Sequence, residues 1–206
     1  MTMLKIINLK LPDIAPFSFE LKAKGLYGLI GRNGIGKSTL FSILAGETGA
    51  SGGRIETRRV AYLPSVDVFD ENLKASDYYS ILSKKEKARA IKYSRLFSAG
   101  KFADKRIGKY SLGMKQLFAT ILSFSVSSDV LIIDELFSGL DVAVKSKVYE
   151  VVQEISKQKI VILTSHNLKE IEHFCDVTYL LSETGISQVD DFAEAAREIG
   201  YIETFY

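Results

Sequence analysis

The stretch GRNGIGKS, residues 31–38, constrains the fold more than any other part of this 206-residue chain. It fits G-x-x-x-x-G-K-[ST]. The apolar run GLYGLI (25–30) precedes it, and TLFSILAG (39–46), apolar at helical spacing, follows. A glycine-rich turn between a buried strand and a helix start lets successive backbone N–H groups converge on phosphate oxygens, at the positive end of the helix dipole. Gly31, Asn33, Gly34, Ile35, Gly36, Lys37, Ser38 and Thr39 are therefore the candidate nucleotide-binding residues. Lys37 is placed to reach the terminal phosphates and Ser38 to contact Mg2+.

Such a loop needs a sheet to carry it, and the rest of the chain supplies one. VLIID (130–134) and KIVIL (159–163) are short apolar runs of the kind buried on both faces, and VTYLLS (177–182) is a further strand. Between and around them lie the helical patterns 111–126, capped by Ser111, 142–158 and 167–176. Strands alternating with helices predict an α/β fold with a mainly parallel sheet. LKIINLKL (4–11) and FSFELK (17–22) alternate like exposed-edge antiparallel strands, and 49–64 reads as a Gly-rich turn leading into one strand that closes at Pro64. No strand signal appears from Asp70 to about Gly108, where SDYYSILSKKEKARAIKYSRLF (76–97) reads as a helix capped at Ser76 or Asp77. The expectation is one domain over 1–206 with a helical subdomain, about 70–125, inserted in the phosphate-binding core.

Binding phosphate is not yet chemistry. Asp134 ends a strand expected to lie buried beside the strand that leads into the 31–38 loop, where a carboxylate can reach a metal ion through water, and Glu135 beside it points to the γ-phosphate side as a water-activating base. Three further stretches stand in order around this pair: YSLGMKQ (110–116), SGLD (138–141) and TSH (164–166). With them the chain resembles, over nearly its whole length, the nucleotide-binding domain of ABC transporters.

The resemblance implies a function and a set of roles. The chain would bind and hydrolyse ATP with Mg2+ held through Ser38 and Asp134, Glu135 and His166 being catalytic. Two such domains, alike or unlike, would pack head to tail, with Ser111, Leu112, Gly113 and Met114 as the signature that meets the partner's ATP and Asp141 at the seam. A separate membrane permease would hold the pair at the inner face of the cell membrane. The signature reads YSLGM, with Leu112 where the family usually has glycine, a variant similar to that of ABC-2-type exporters, which implies export. Ser65 stands where glutamine is usual in the Q-loop, and Leu136 and Phe137 replace the usual proline-threonine pair. Phe17 is the nearest candidate to stack on adenine. Val66, Val68, Phe69, Tyr78 and Tyr79 lie near the groove that takes the permease's coupling helix, although packing within the subdomain explains each of them as well. Two alternatives stay open: a regulatory or structural nucleotide-binding subunit with weak hydrolysis, and an ABC ATPase outside transport.

Composition narrows the partners. A net charge of +2 gives no field to recruit nucleic acid. Lys5, Lys10 and Pro12 interrupt the N-terminal apolar stretch, and no run approaches a membrane span, so a cytoplasmic location is expected. The single cysteine, Cys175, reads as buried filler and His173 as structural, while SKKEKARAIK (83–92) reads as a solvated helix face.

Overall fold

The structure is a computed structural model that describes residues 4–200. Two sheets form it. Strands β1 (Leu4–Leu11), β2 (Ile14–Leu21) and β4 (Arg54–Thr57) make an antiparallel sheet in the order β2-β1-β4. The larger sheet has the order β5-β6-β7-β3-β8-β9, with β3 (Gly25–Ile30), β5 (Val60–Ala61), β6 (Val130–Asp134), β7 (Ile160–Thr164) and β8 (Val177–Ser182) parallel, and β9 (Gly185–Gln188) antiparallel at the edge.

Strand parity divides the interior in two. Tyr27, Leu29, Val130, Ile132, Ile160 and Ile162 face the antiparallel sheet and helix α1 (Lys37–Leu44), whose Leu40 and Phe41 are fully buried there. The alternate residues Leu26, Ile30, Leu131, Ile133, Val161 and Leu163 face the second apolar cluster. Because successive side chains of a strand point to opposite faces, strands covered on both sides read as continuous apolar runs, as these three do. The second cluster continues into helices α2 (Ala75–Ser80), α3 (Lys84–Leu96) and α4 (Leu112–Ser125), and takes in α5 (Val142–Ser156), α6 (Leu168–Phe174) and α7 (Phe192–Glu198).

Several expectations change. β1 is not an edge strand: β4 pairs along its other side, so it is central in its sheet. The single strand expected to close at Pro64 is two, β4 and β5, which belong to different sheets; the chain crosses between them at Arg58 and Arg59. β6 does not lie beside β3, because β7 pairs in parallel with both and intervenes. The helix expected over 76–97 is two helices. Ser83 accepts from the N–H of Glu86 while the Glu86 carboxylate accepts from the N–H of Ser83, a capping box that starts α3 afresh. α2 is capped at Lys74, with Asp77 bonded back to the Lys74 N–H, so Asp77 is the third helical residue and not the cap. Residues 70–108 hold helices and turns, with one isolated bridge between Lys74 and Arg106. Phe69 and Tyr79 are buried in the subdomain core, Val66 and Tyr78 are partly buried against it, and Val68 is exposed. β9 and α7 had no counterpart in the sequence reading.

Candidate nucleotide site

The C-terminal ends of β3, β6 and β7 meet at one edge of the large sheet, the usual place for a ligand in such folds. From β3 the chain turns through Gly31 to Gly36 into α1. Gly34 and Gly36 have φ of +79° and +109°, conformations that a side chain would strain. No side chain caps α1, so its first N–H groups remain available to an anion. Lys37 Nζ folds back over the loop and donates to the carbonyls of Gly31, at 2.7 Å, and Arg32, at 3.2 Å. Burial pushes the Lys37 ammonium below its ordinary pKa, while Glu135 and Asp134 pull it the other way.

Asp134 is the hub. Ser38 Oγ donates to its Oδ2 at 2.9 Å, and Thr164 Oγ1 donates to its Oδ1 at 2.7 Å. Tyr62 OH donates to Oδ2 at 3.4 Å, and its ring lies 5.7 Å from that of Phe41 on α1. Thr164 Oγ1 also accepts from the N–H of Glu135 at 3.1 Å. Glu135 has φ of +53°, the left-handed region that non-glycine residues avoid and that clusters at functional sites. Its Oε2 meets His166 Nε2 at 2.6 Å. Gly31, Arg32, Asn33, Lys37, Glu135 and His166 line one cavity of about 330 Å3. Ile35 is half-buried, whereas Thr39 is exposed on the first turn of α1.

The signature residues stand apart from that cavity. Ser111 caps α4, its Oγ accepting from the N–H of Met114 at 3.3 Å, and Leu112 beside it is 61% exposed. A methyl group on Gly113 would come within 2.6 Å of the Gly139 carbonyl, so glycine is needed where α4 meets the loop after Glu135. Gln116 ties the same junction, donating to Ser138 Oγ at 3.1 Å and accepting from the Gly139 N–H at 2.8 Å. Asp141 caps α5 by accepting from the Val144 N–H at 3.0 Å. Ser65 spends its hydroxyl locally: it accepts from the Asp67 N–H and donates to the Asp67 carboxylate. Phe17 is 6% exposed and packed over Gly185, so it has no face to offer a base, contrary to the expectation of stacking. His173 lies on the exposed side of α6, edge-on to Phe174. Cys175 is largely buried, and burial pushes its thiol up to about 12.

Tyr62, the Thr164 hydroxyl, Gln116 and Glu170 escape a sequence reading. Glu170 accepts from Tyr149 OH at 2.8 Å and from Ser165 Oγ at 2.9 Å and pairs with Lys145, tying the His166 loop to α5. The available signal is register, since counting from the first residues of two parallel strands brings Thr164 opposite Asp134.

A family model described as ABC transporter matches residues 14–138. The chain belongs to that family. ATP hydrolysis is the characteristic activity of its ATP-binding proteins. An uncharacterized ABC transporter ATP-binding protein of Methanocaldococcus jannaschii is 30% identical over 195 residues, an alignment covering 90% of this chain and 74% of that one. A teichoic acids export ATP-binding protein of Bacillus cereus is 31% identical over 167 residues, 77% of this chain and 30% of its relative. A manganese transport system ATP-binding protein of Synechocystis is 28% identical over 185 residues, 78% and 71% of the two chains. A solved ATP-binding subunit of an ABC transporter matches with a TM-score of 0.83 at 24% identity, over 97% of this chain and 94% of that one, a likeness of fold. No helix among the described residues is long and apolar enough to cross a membrane.

Proposed function

We propose that the chain is the ATP-hydrolysing subunit of an export system, working as a head-to-tail pair on separate membrane subunits. The observation that carries the reading is the convergence of Lys37, the Ser38–Asp134 pair and the Glu135–His166 pair at one sheet edge. One hydroxyl and one carboxylate held 2.9 Å apart are hard oxygen donors of the kind Mg2+ takes together with water and phosphate oxygens, so the residues fit that ion. When bound, Mg2+ supplies charge neutralisation on the terminal phosphates.

The protein's own groups do the rest. Lys37 leaves its two carbonyls for the phosphates, and the N–H groups of Gly34 to Ser38 hold them in line. Glu135 orients the attacking water and takes its proton, and its bond to His166 sets the carboxylate's direction. Ser111 and Gly113 bring the N-terminus of α4 to the γ-phosphate held by the partner. Leu112 and Val142, 61% and 86% exposed beside Ser111 and Asp141, form the apolar part of that pairing face. Export is read from the SLGM signature. The named relatives include an export protein and a manganese transport system, so likeness alone does not carry direction.

Shared sites make hydrolysis depend on pairing. The specific ATPase rate is expected to rise with protein concentration until dimers saturate, and a rate independent of concentration would contradict a composite site. The permease is tested by affinity purification from detergent-extracted membranes, where an integral membrane subunit should accompany the chain. Its absence would favour an ATPase outside transport.

A further inference from the structure

Sharing no lining residue with the candidate nucleotide cavity, an open cleft of about 610 Å3 runs between α3 and the distal end of α5. Four cations line it: Arg89 and Lys92 on α3, Arg59 in the crossing between β4 and β5, and Lys159 in the turn from α5 to β7. The half-buried pair are held by neutral oxygens. Arg89 donates to the Ser125 carbonyl and to Ser127 Oγ, each at 2.8 Å, and Lys159 donates to Ser128 Oγ at 2.9 Å. Carboxylates balance them only in part. Of the two in the lining, Glu154 is paired with Lys157 and Glu150 is exposed; nearby, Asp129 lies 3.9 Å from Arg59 and also acts on Lys159, and Glu86 accepts from the Ser127 N–H beside Arg89. Burial, and after it the neighbouring charges of Arg89 and Arg59, push the Lys159 ammonium below its ordinary pKa against the opposing pull of Asp129. Arg89 and Lys92 belong to the helical insertion, whereas Arg59 and Lys159 belong to the sheet core.

We infer that this cleft binds a compact multivalent phosphate anion, of the pyrophosphate class, which clasps α3 to the core. The arginine forks and the ammonium groups supply charge-assisted donors from both sides, so the anion adds a second bridge between two parts already joined by the bonds of Arg89 and Glu86 to Ser127. The position gives the clasp leverage. Ser125 ends α4, whose other end carries Ser111, and Ser127 and Ser128 lead into β6, which ends at Asp134.

The test is calorimetric titration of pyrophosphate into the full chain with its P-loop filled by saturating MgADP and magnesium in excess over both. One further site is expected, weakened at least about tenfold by Arg59→Ala with Lys92→Ala, both exposed side chains whose loss spares the fold. Hydrogen exchange over residues 84–96 should slow when pyrophosphate is present. Absence of heat, heat that the double variant leaves unchanged, or unaltered exchange in α3 would each overturn the proposal. Vesicles of phosphatidylglycerol separate the sources: sedimentation of the chain with vesicles, without any response to pyrophosphate, would replace the soluble anion by a lipid headgroup and overturn it as stated.

Discussion

Thr164 Oγ1 donates to Asp134 Oδ1 at 2.7 Å and at the same time accepts from the N–H of the next residue, Glu135, at 3.1 Å. One hydroxyl on β7 thus fixes both the carboxylate proposed for the metal and the backbone of the proposed base. Its position follows from register, because Asp134 and Thr164 are directly paired where β6 and β7 end together.

Thr164 is 2% exposed, so deleting its hydroxyl leaves a part-buried carboxylate oxygen of Asp134 and the part-buried N–H of Glu135 each short of a partner. Thr164→Val is expected to cost about 1–3 kcal/mol, lowering Tm by several degrees, and to slow hydrolysis, while Thr164→Ser keeps both. Thermal unfolding and ATPase assays check this. A valine variant with wild-type Tm and rate would show that the hydroxyl organises nothing.

Lys37→Ala removes the one ammonium at the loop and replaces it with no new contact. A charge-assisted bond to phosphate is worth about 1.5–3 kcal/mol, so MgATP affinity should fall about 10- to 100-fold with the fold intact. Calorimetry that finds unchanged affinity would remove the phosphate-binding assignment.

The boundary of α3 gives a pH dependence. The Glu86 carboxylate accepts from Ser83 Oγ at 2.6 Å and from the Ser127 N–H at 2.7 Å, and these bonds hold it at about 2. A carboxyl whose folded pKa lies below its unfolded value stabilises above the unfolded pKa, near 4.5, and loses that contribution as pH falls towards about 2. Glu86→Gln should therefore destabilise the protein most above pH ~5 and progressively less below pH ~4. Equal Tm differences at pH 7 and pH 3 would contradict it.

Local patterns were legible in the sequence, and long-range pairings were not. The 31–38 loop and the Asp134–Glu135 end of an apolar run depend on neighbours in the chain, and the structure brings them together as their spacing suggests. That β7 separates β3 from β6 depends on residues 130 positions apart or more, such as Gly25 and Ile160, which no local period encodes. Ile81 and Leu82 keep helical spacing across the break between α2 and α3, so only the bonds of Ser83 with Glu86 reveal it. Tyr62 sits in what reads as the end of a strand, and its approach to Asp134 appears only once β5 pairs with β6. Phe17 was legible as an aromatic residue, but its burial over Gly185 required the β2 and β9 edges to meet.

Whether Glu135 is the base of a paired site is tested most directly by Glu135→Gln at saturating MgATP, followed by size-exclusion chromatography with light scattering. The substitution keeps size and hydrogen bonding but removes the charge that accepts the water's proton, so hydrolysis should slow by about 10²- to 10⁴-fold while ATP still binds. The unhydrolysed nucleotide should hold two chains together, giving twice the monomer mass. Ser111→Arg in the same variant should return the monomer, because the side chain blocks the approach of α4 to the partner's γ-phosphate. Hydrolysis at the wild-type rate, or an inactive variant that stays monomeric with MgATP bound and Ser111 intact, would contradict the account.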